Sequence, residues 1–313
     1  MKKYLLVAFC FCMSFGAFAS DVDLVFYSPD IVRVVKGGEA PASSYAITMT
    51  PQKTEVKVSK TTSKTVYKTE SLRVEVDNRS GGISFFTSKG KYLTRDVDYS
   101  MTERDEGADK GSYIVKQGFR LEDREPVYGL GILQDGKLSL RGKHIRMIQG
   151  NTEDFVPVVQ SVKGYGIIWD NPSPTVFDSE GNVMSFESEV GECVDYYFIY
   201  GGNADKVIAG IRQLTGKVPM LPLWSYGFMQ SRERYKSSAE LLGVLDSYRA
   251  AGIPIDGMVQ DWQYWGSNYL WNAMEFLNED FADAQSMIDK IHDSNAHLMI
   301  SIWSSFGPHT KQY

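Results

Sequence analysis

Two patterns of hydrophobic and polar residues divide this chain near residue 218. Over residues 21–217 apolar positions mostly alternate with polar ones, which is the period of a strand with one buried face. The clearest segments, rich in Val, Thr, Tyr and Ile, are residues 46–49, 55–59, 72–76, 82–86, 137–140 and 194–200. Turn residues separate them, and one helical segment follows at residues 203–214. Many strands at short spacing predict an antiparallel β-sandwich.

After Pro219 strand-like and helix-like segments alternate. The predicted strands are residues 225–229, 258–261 and 297–303. A helix with a capping box, Ser237 and Glu240, lies between the first two, and an apolar periodicity over residues 281–291 marks the next helix. Such units predict parallel strands with right-handed crossovers, in either a doubly wound sheet or a barrel.

The ends of these strands favour the barrel. Asp261, Trp262 and Trp303 all stand at carboxyl ends of predicted strands. In barrels of parallel strands, the chemistry collects at that end.

Residues 1–19 have the pattern of a secretory signal peptide. Lys2 and Lys3 precede an apolar run over residues 4–13, and Ala17-Phe18-Ala19 forms a small-residue cleavage site before Ser20. The run is too short to cross a bilayer, and no later segment approaches the roughly 20 apolar residues that a membrane helix needs. We therefore predict a periplasmic or secreted protein without a membrane span.

Composition narrows the class of protein further. The 313 residues are 43% hydrophobic and 23% charged, as in a globular protein, and the net charge is −6. Removal of the signal peptide, with its two lysines and no acid, would make the charge −8. An acidic chain argues against nucleic acid as a partner, because phosphate binding depends on clustered Lys and Arg. Cys193 would be the one cysteine left, so no internal disulfide is predicted.

The segment after the second barrel strand is crowded with rings: Trp262, Tyr264, Trp265, Tyr269 and Trp271. Flat rings can face the apolar side of a sugar, while a nearby carboxylate accepts hydrogen bonds from two hydroxyls. The alternative is that these rings only fill a core.

Asp261 is the best single candidate for a ligand contact, because an acid that ends a buried strand needs a partner or a site. Its alternative is a structural salt bridge to Arg232 or Arg234. Trp303 could line the floor of a pocket or fill the core.

Other chemistry is not indicated. The four histidines show no ligand spacing, so neither a metal nor a cofactor is predicted. Gly129-Leu130-Gly131 opens like a dinucleotide fingerprint, but Gln134 replaces its third glycine.

Several ordered motifs resemble those of glycoside hydrolase family 31, the retaining α-glucosidases and α-xylosidases, and the chain is most similar to the bacterial α-xylosidase branch. They are Val127-Tyr128-Gly129-Leu130-Gly131, residues 156–167, Trp169-Asp170-Asn171, Leu221-Pro222, Trp224-Ser225-Tyr226-Gly227, Arg249 with Gly252-Ile253-Pro254, Asp261-Trp262 and Ser301-Ile302-Trp303.

The resemblance implies a fold and a set of site residues. The fold would be a galactose mutarotase-like β-sandwich over residues 20–218, followed by the first three β/α units of an incomplete (β/α)₈ barrel over residues 219–313. Asp261 would bind the sugar in the −1 subsite, with Trp303 lining that subsite and Trp262 shaping specificity. Phe228 would also face the pocket.

The chain departs from the pattern of the family at the catalytic residues. Retaining hydrolysis needs two carboxylates about 5 Å apart. In this family they come from the fourth and sixth barrel strands, and no residue of this chain matches either position. The resemblance therefore implies the N-terminal part of an exo-acting α-glycosidase, an α-xylosidase acting on oligosaccharides, with no turnover by these residues alone.

Three alternatives remain open at this point: an α-glucosidase specificity, a non-catalytic carbohydrate-binding protein, and a mutarotase-like epimerase. The sequence does not indicate the oligomeric state.

Overall fold

The computed structural model describes residues 22–313, so the predicted signal peptide lies outside the described residues. These residues form two compact units that divide between Val218 and Pro219. No helix among them is long and apolar enough to cross a membrane.

Antiparallel strands make up nearly all of the regular secondary structure of the first unit. They are β1 (Val22–Ser28), β2 (Ile31–Lys36), β3 (Lys57–Lys60), β4 (Lys64–Lys68), β5 (Leu72–Asp77), β6 (Ile83–Thr87), β7 (Tyr92–Glu103), β8 (Tyr113–Arg120), β9 (Val127–Ile132), β10 (His144–Met147), β11 (Asp154–Ser161), β12 (Tyr165–Trp169), β13 (Thr175–Asp178), β14 (Val183–Gly191) and β15 (Val194–Tyr200). One sheet has the order β1-β2-β15-β12-β11-β9, and the other has the order β10-β13-β14-β8-β7-β6-β5-β4-β3. Helix α1 (Ala204–Thr215) follows the last strand, with Asn203 as its N-cap.

Aromatic stacking joins the two sheets in the core of this unit. Phe198 on β15 stacks on Phe85 of β6 in the opposite sheet, with ring centroids 4.0 Å apart and planes 11° from parallel. On its own sheet it stacks on Tyr165 at 5.4 Å, and all three rings are fully buried. Side chains alternate between the two faces of each sheet, and the rings on the inner faces pack against each other, so the two sheets form a sandwich.

Two predicted strands of this unit are wrong. Residues 46–49 are irregular, and the backbone N–H groups of Thr48 and Met49 donate to the carbonyl of Leu214 at the end of α1. Residues 137–140 form a loop anchored only by Leu140, which is buried, while Leu138 is exposed. Neither segment pairs along its length with a strand: residues 137–140 contact β9 through one backbone hydrogen bond, from Leu140 to Val127 at 2.9 Å, and residues 46–49 bond the end of α1.

The edge strand β3 differs from the other strands. All four of its residues are exposed, so both faces of the strand contact solvent. Its partner in the sheet is β4, with Lys57 opposite Lys68.

The second unit contains a parallel sheet with the order β16 (Met229–Gln230), β17 (Gly257–Gln260) and β18 (His297–Ile300). Helix α2 (Ser238–Ala250) connects the first two strands, and α3 (Ala284–Asp293) connects the second to the third. Short 3-10 turns lie at Leu223–Tyr226, Asn268–Leu270 and Glu279–Phe281.

The start of α2 follows the predicted capping box in part. The Ser237 hydroxyl accepts a hydrogen bond from the backbone N–H of Glu240 at 3.1 Å. The Glu240 carboxylate reaches back to the N–H of Lys236, at 2.7 Å, rather than to that of Ser237.

The predicted strand at residues 225–229 is mostly wrong. A 3-10 turn occupies its first half and leaves a strand of two residues. The Trp224 ring in this turn stacks on His297 with centroids 4.0 Å apart, which holds the turn against the start of β18.

Cys193 is buried just before β15, and desolvation raises the pKa of its thiol to about 11. Because the thiolate is the reactive form, we expect alkylation of Cys193 by iodoacetamide at pH 8 to be about a hundredfold slower in the folded chain than in urea. Peptide mapping by mass spectrometry would measure both rates at this residue. Equal rates would mean that the thiol is not protected.

Candidate functional site

The parallel sheet of the second unit has one face covered by helices and one open face. Met258 on β17 packs with buried residues of α2 and α3, such as Leu245 and Ile291. Its neighbour Val259 points the other way and lies beside Met299 of β18, whose side chain is 46% exposed. Asp261 is the first residue after β17, and continued alternation of side chains would place it on the face of Val259.

Asp261 is partly exposed and makes one side-chain hydrogen bond within the described chain. Its Oδ1 accepts the backbone N–H of Trp262 at 2.8 Å. The alternative of a salt bridge to an arginine is not observed, since Arg232 pairs with Glu240 at 2.9 Å and Arg234 lies 3.3 Å from Glu233. The second carboxylate oxygen is therefore available to accept hydrogen bonds from a ligand.

Trp262, the next residue, is held from several sides. Its indole Nε1–H donates to Glu233 at 2.7 Å, and the guanidinium of Arg234 lies 4.8 Å from its ring centroid. The Trp271 ring is 5.8 Å away, inclined at 48°. Because the indole N–H is already bonded, Trp262 can offer a ligand only its carbon surface.

Trp303 lies beyond the end of β18 and is 44% exposed. Its ring contacts Trp271 edge to face at 5.1 Å. The side chain of Asn272 bonds both backbone groups of Trp303: its oxygen accepts the N–H at 3.1 Å, and its nitrogen donates to the carbonyl. Trp271 and Asn272 thus join Trp303 to the segment that follows Trp262.

The other aromatic residues of this segment divide into two groups. Tyr264 and Trp265 are fully buried, so for these two the alternative of core packing is correct. The Tyr264 hydroxyl also donates to the carbonyl of Ser301 at 3.1 Å. Tyr269 is exposed and stacks on His309 at 5.2 Å.

The structure does not bring Phe228 together with Asp261, Trp262 and Trp303. It precedes β16, at the amino end of the sheet, where its backbone bonds Asp256. Asp256 immediately precedes β17 and Asp261 immediately follows it, five residues further along the chain, which is roughly 16 Å at the rise of a strand. The Phe228 ring packs on Tyr248 of α2 at 5.6 Å.

Sequence reasoning named Arg234 only as a salt-bridge partner for Asp261, and it did not predict Glu233 or Asn272 as parts of this site. Glu233 and Arg234 follow the carboxyl end of β16, as Asp261 follows that of β17, so their position was a usable signal. Asn272 carried no signal in the sequence. Within residues 22–313 no group of three His, Cys, Asp or Glu side chains could hold a metal ion.

Two family models match the chain. The glycosyl hydrolase 31 N-terminal galactose mutarotase-like domain matches residues 21–178, which is half of the chain, and the glycosyl hydrolases family 31 TIM-barrel domain matches residues 218–313. The chain belongs to glycoside hydrolase family 31. The open face of the parallel sheet thus lies in the part of the chain that matches the family's barrel domain.

Relatives and solved structures agree with this assignment. An α-xylosidase of Saccharolobus solfataricus is 36% identical over 306 residues, which cover 94% of this chain and 41% of that protein. A family 31 α-xylosidase from Xanthomonas citri superposes with a TM-score of 0.87 at 23% identity, over 95% of this chain and 49% of that one. A soil metagenome α-xylosidase complexed with xylose gives 0.83 at 24% identity, over 94% and 46%. This family 31 chain spans less than half the length of these relatives.

Proposed function

We propose that this chain supplies the sandwich and the sugar-binding start of the barrel of an exo-acting, retaining α-glycosidase with α-xylosides as substrates. The observation that carries the proposal is the free carboxylate oxygen of Asp261, next to the immobilised Trp262 at the carboxyl ends of parallel strands. The pattern of residues 1–19 supports export to the periplasm or beyond the cell.

In the proposed site, Asp261 would accept hydrogen bonds from the sugar, and the indoles of Trp262 and Trp303 would determine which sugar shapes fit. A carboxylate acceptor forms short, charge-assisted hydrogen bonds with sugar hydroxyls. Trp262 offers only its ring carbons, so we propose that it acts as a wall that favours a sugar without a hydroxymethyl group. The family assignment and the α-xylosidase relative support xylose as that sugar.

Hydrolysis would need groups other than these. A retaining mechanism uses one carboxylate as the nucleophile and a second as the acid and base. Glu233 contacts the Trp262 indole and Arg234 through the same oxygen, Oε1, and we assign it to holding the Trp262 ring rather than to catalysis. We therefore expect these 313 residues to bind a xylosyl unit and to release no product, and no cofactor is part of the proposal.

The test uses the purified 313-residue chain. Isothermal calorimetry with D-xylose should give heat of binding, D-glucose should bind more weakly, and p-nitrophenyl α-D-xyloside should yield no nitrophenol. Absence of heat with xylose would refute the binding site. Nitrophenol release at an enzyme-like rate would refute the assignment of Asp261 to binding alone.

A second candidate is specificity for α-glucosides. A relative from Pseudescherichia vulneris, named an uncharacterized family 31 glucosidase, is 29% identical over 62% of this chain and 36% of its own. Tighter binding of D-glucose than of D-xylose in the same titrations would favour this candidate.

A further inference from the structure

Asn272 combines complete burial with an unusual backbone conformation. Its φ angle is +59°, in the left-handed region that residues other than glycine seldom adopt, and its side chain has no exposed surface. Gln263 and Met274, in the same connection between β17 and α3, are also left-handed. Strained backbone of this kind persists only where the surroundings hold it, and it clusters at functional sites.

The amide of Asn272 acts on one residue. It donates to the carbonyl and accepts from the N–H of Trp303, so it replaces a neighbouring strand at the point where β18 has ended. Without it, both backbone groups would lose these partners.

The chain on the far side of Trp303 is fixed to the same connection. The N–H of Gly307 donates to the carbonyl of Trp271 at 2.9 Å. A Cβ atom at Gly307 would collide with the backbone of Tyr269 and Trp271, so the two segments approach as closely as backbone allows. The Trp303 ring, in turn, rests on the Trp271 ring.

We propose that Asn272 is a positioning residue for sugar binding, which fixes the Trp303 indole against Trp271 on the side of the sheet where Asp261 lies. The ligand in this statement rests on the proposed function, whereas the immobilisation of Trp303 does not. A ring that is already fixed loses little freedom when the sugar binds, so the amide contributes affinity without touching the ligand.

A simpler reading is that Asn272 is present only because asparagine tolerates a left-handed backbone. Asn272→Gly separates the two readings. Glycine adopts this conformation without strain, so the variant should be tolerated if Asn272 serves only the backbone conformation. Glycine also lacks the amide, so the variant removes the proposed contacts with Trp303. Asn295→Gly is the matched control, because Asn295 is also left-handed, is exposed, and makes no side-chain hydrogen bond within the described residues.

The experiment measures Trp303 directly and sugar binding separately. Near-ultraviolet circular dichroism of the 313-residue chain is recorded with and without Trp303→Phe, in the parent, in Asn272→Gly and in Asn295→Gly, and each difference isolates the Trp303 signal. D-xylose is then titrated into the same proteins by calorimetry. We expect Asn272→Gly to lose most of the Trp303 signal and about tenfold in xylose affinity, as loss of preorganisation predicts, and Asn295→Gly to lose neither.

Each outcome has one meaning. An unchanged Trp303 signal and an unchanged xylose affinity in Asn272→Gly would overturn the proposal. A reduced Trp303 signal in a chain whose parent binds no xylose would uphold the positioning role and refute the proposed function. If Asn272→Gly does not fold, the same two measurements on Asn272→Asp decide. The carboxylate of this variant keeps an acceptor for the Trp303 N–H and loses the donor to the carbonyl.

Discussion

Asp261→Asn should weaken the binding of D-xylose by at least about a hundredfold. The substitution keeps the size of the side chain and an oxygen for the N–H of Trp262, so the local backbone is retained. It removes the negative charge that strengthens the hydrogen bonds from sugar hydroxyls, each worth about 1.5–3 kcal/mol when a charged group accepts. Calorimetry with D-xylose on the parent and the variant measures the difference.

Two variants serve as controls for Asp261. Asp280→Asn removes an exposed acid elsewhere in the second unit, and Phe228→Ala removes a ring at the other end of the sheet. Both should bind xylose as the parent does. Equal affinities for Asp261→Asn and the parent would exclude Asp261 from the site, and a loss in Phe228→Ala would contradict the position of the site at the carboxyl ends of the strands.

Phe198→Ala should destabilise the sandwich by about 3–5 kcal/mol, the cost of removing a buried phenyl ring. The ring stacks on Phe85 across the sheets and on Tyr165 along its own sheet, so its loss leaves a cavity where both sheets meet. Urea titration followed by hydrogen exchange and mass spectrometry of peptides from β6, β12 and β15 reports on this unit separately.

Tyr45→Ala is the control for that measurement, because the Tyr45 ring is exposed and should contribute little to the free energy of unfolding. A shift for Phe198→Ala no larger than that for Tyr45→Ala would show that the stacked rings do not support the sandwich.

The regular parts of the fold could be predicted from the sequence because local pattern and tertiary environment agree there. Residues 194–200 are rich in β-branched and aromatic residues, and they form β15 with the predicted bounds because strands pair on both sides. Residues 137–140 alternate, but they contact a strand through one backbone hydrogen bond, from Leu140 to Val127 of β9, so pattern alone was misleading. Pairing is a property of distant segments, and a short window of sequence does not contain it.

In the candidate site, sequence reasoning predicted Asp261, Trp262 and Trp303 and their position at the carboxyl ends of the strands. Asp261 could be identified because an acid at the end of a buried strand is costly without a purpose. Phe228 lies at the opposite end because a 3-10 turn shortens the first strand. Glu233 and Asn272 act through contacts with residues 29 and 31 positions away, which no local period reveals.

The exposed edge strand β3 of the larger sheet affects the association of separate molecules. An unpaired strand normally invites a second chain to extend the sheet, and flat apolar edges do so most readily. Here β3 begins and ends with a lysine, and Lys57 lies beside Lys68 of β4. Two such edges would bring like charges together in water, so repulsion between the lysines disfavours the joining of two molecules through β3.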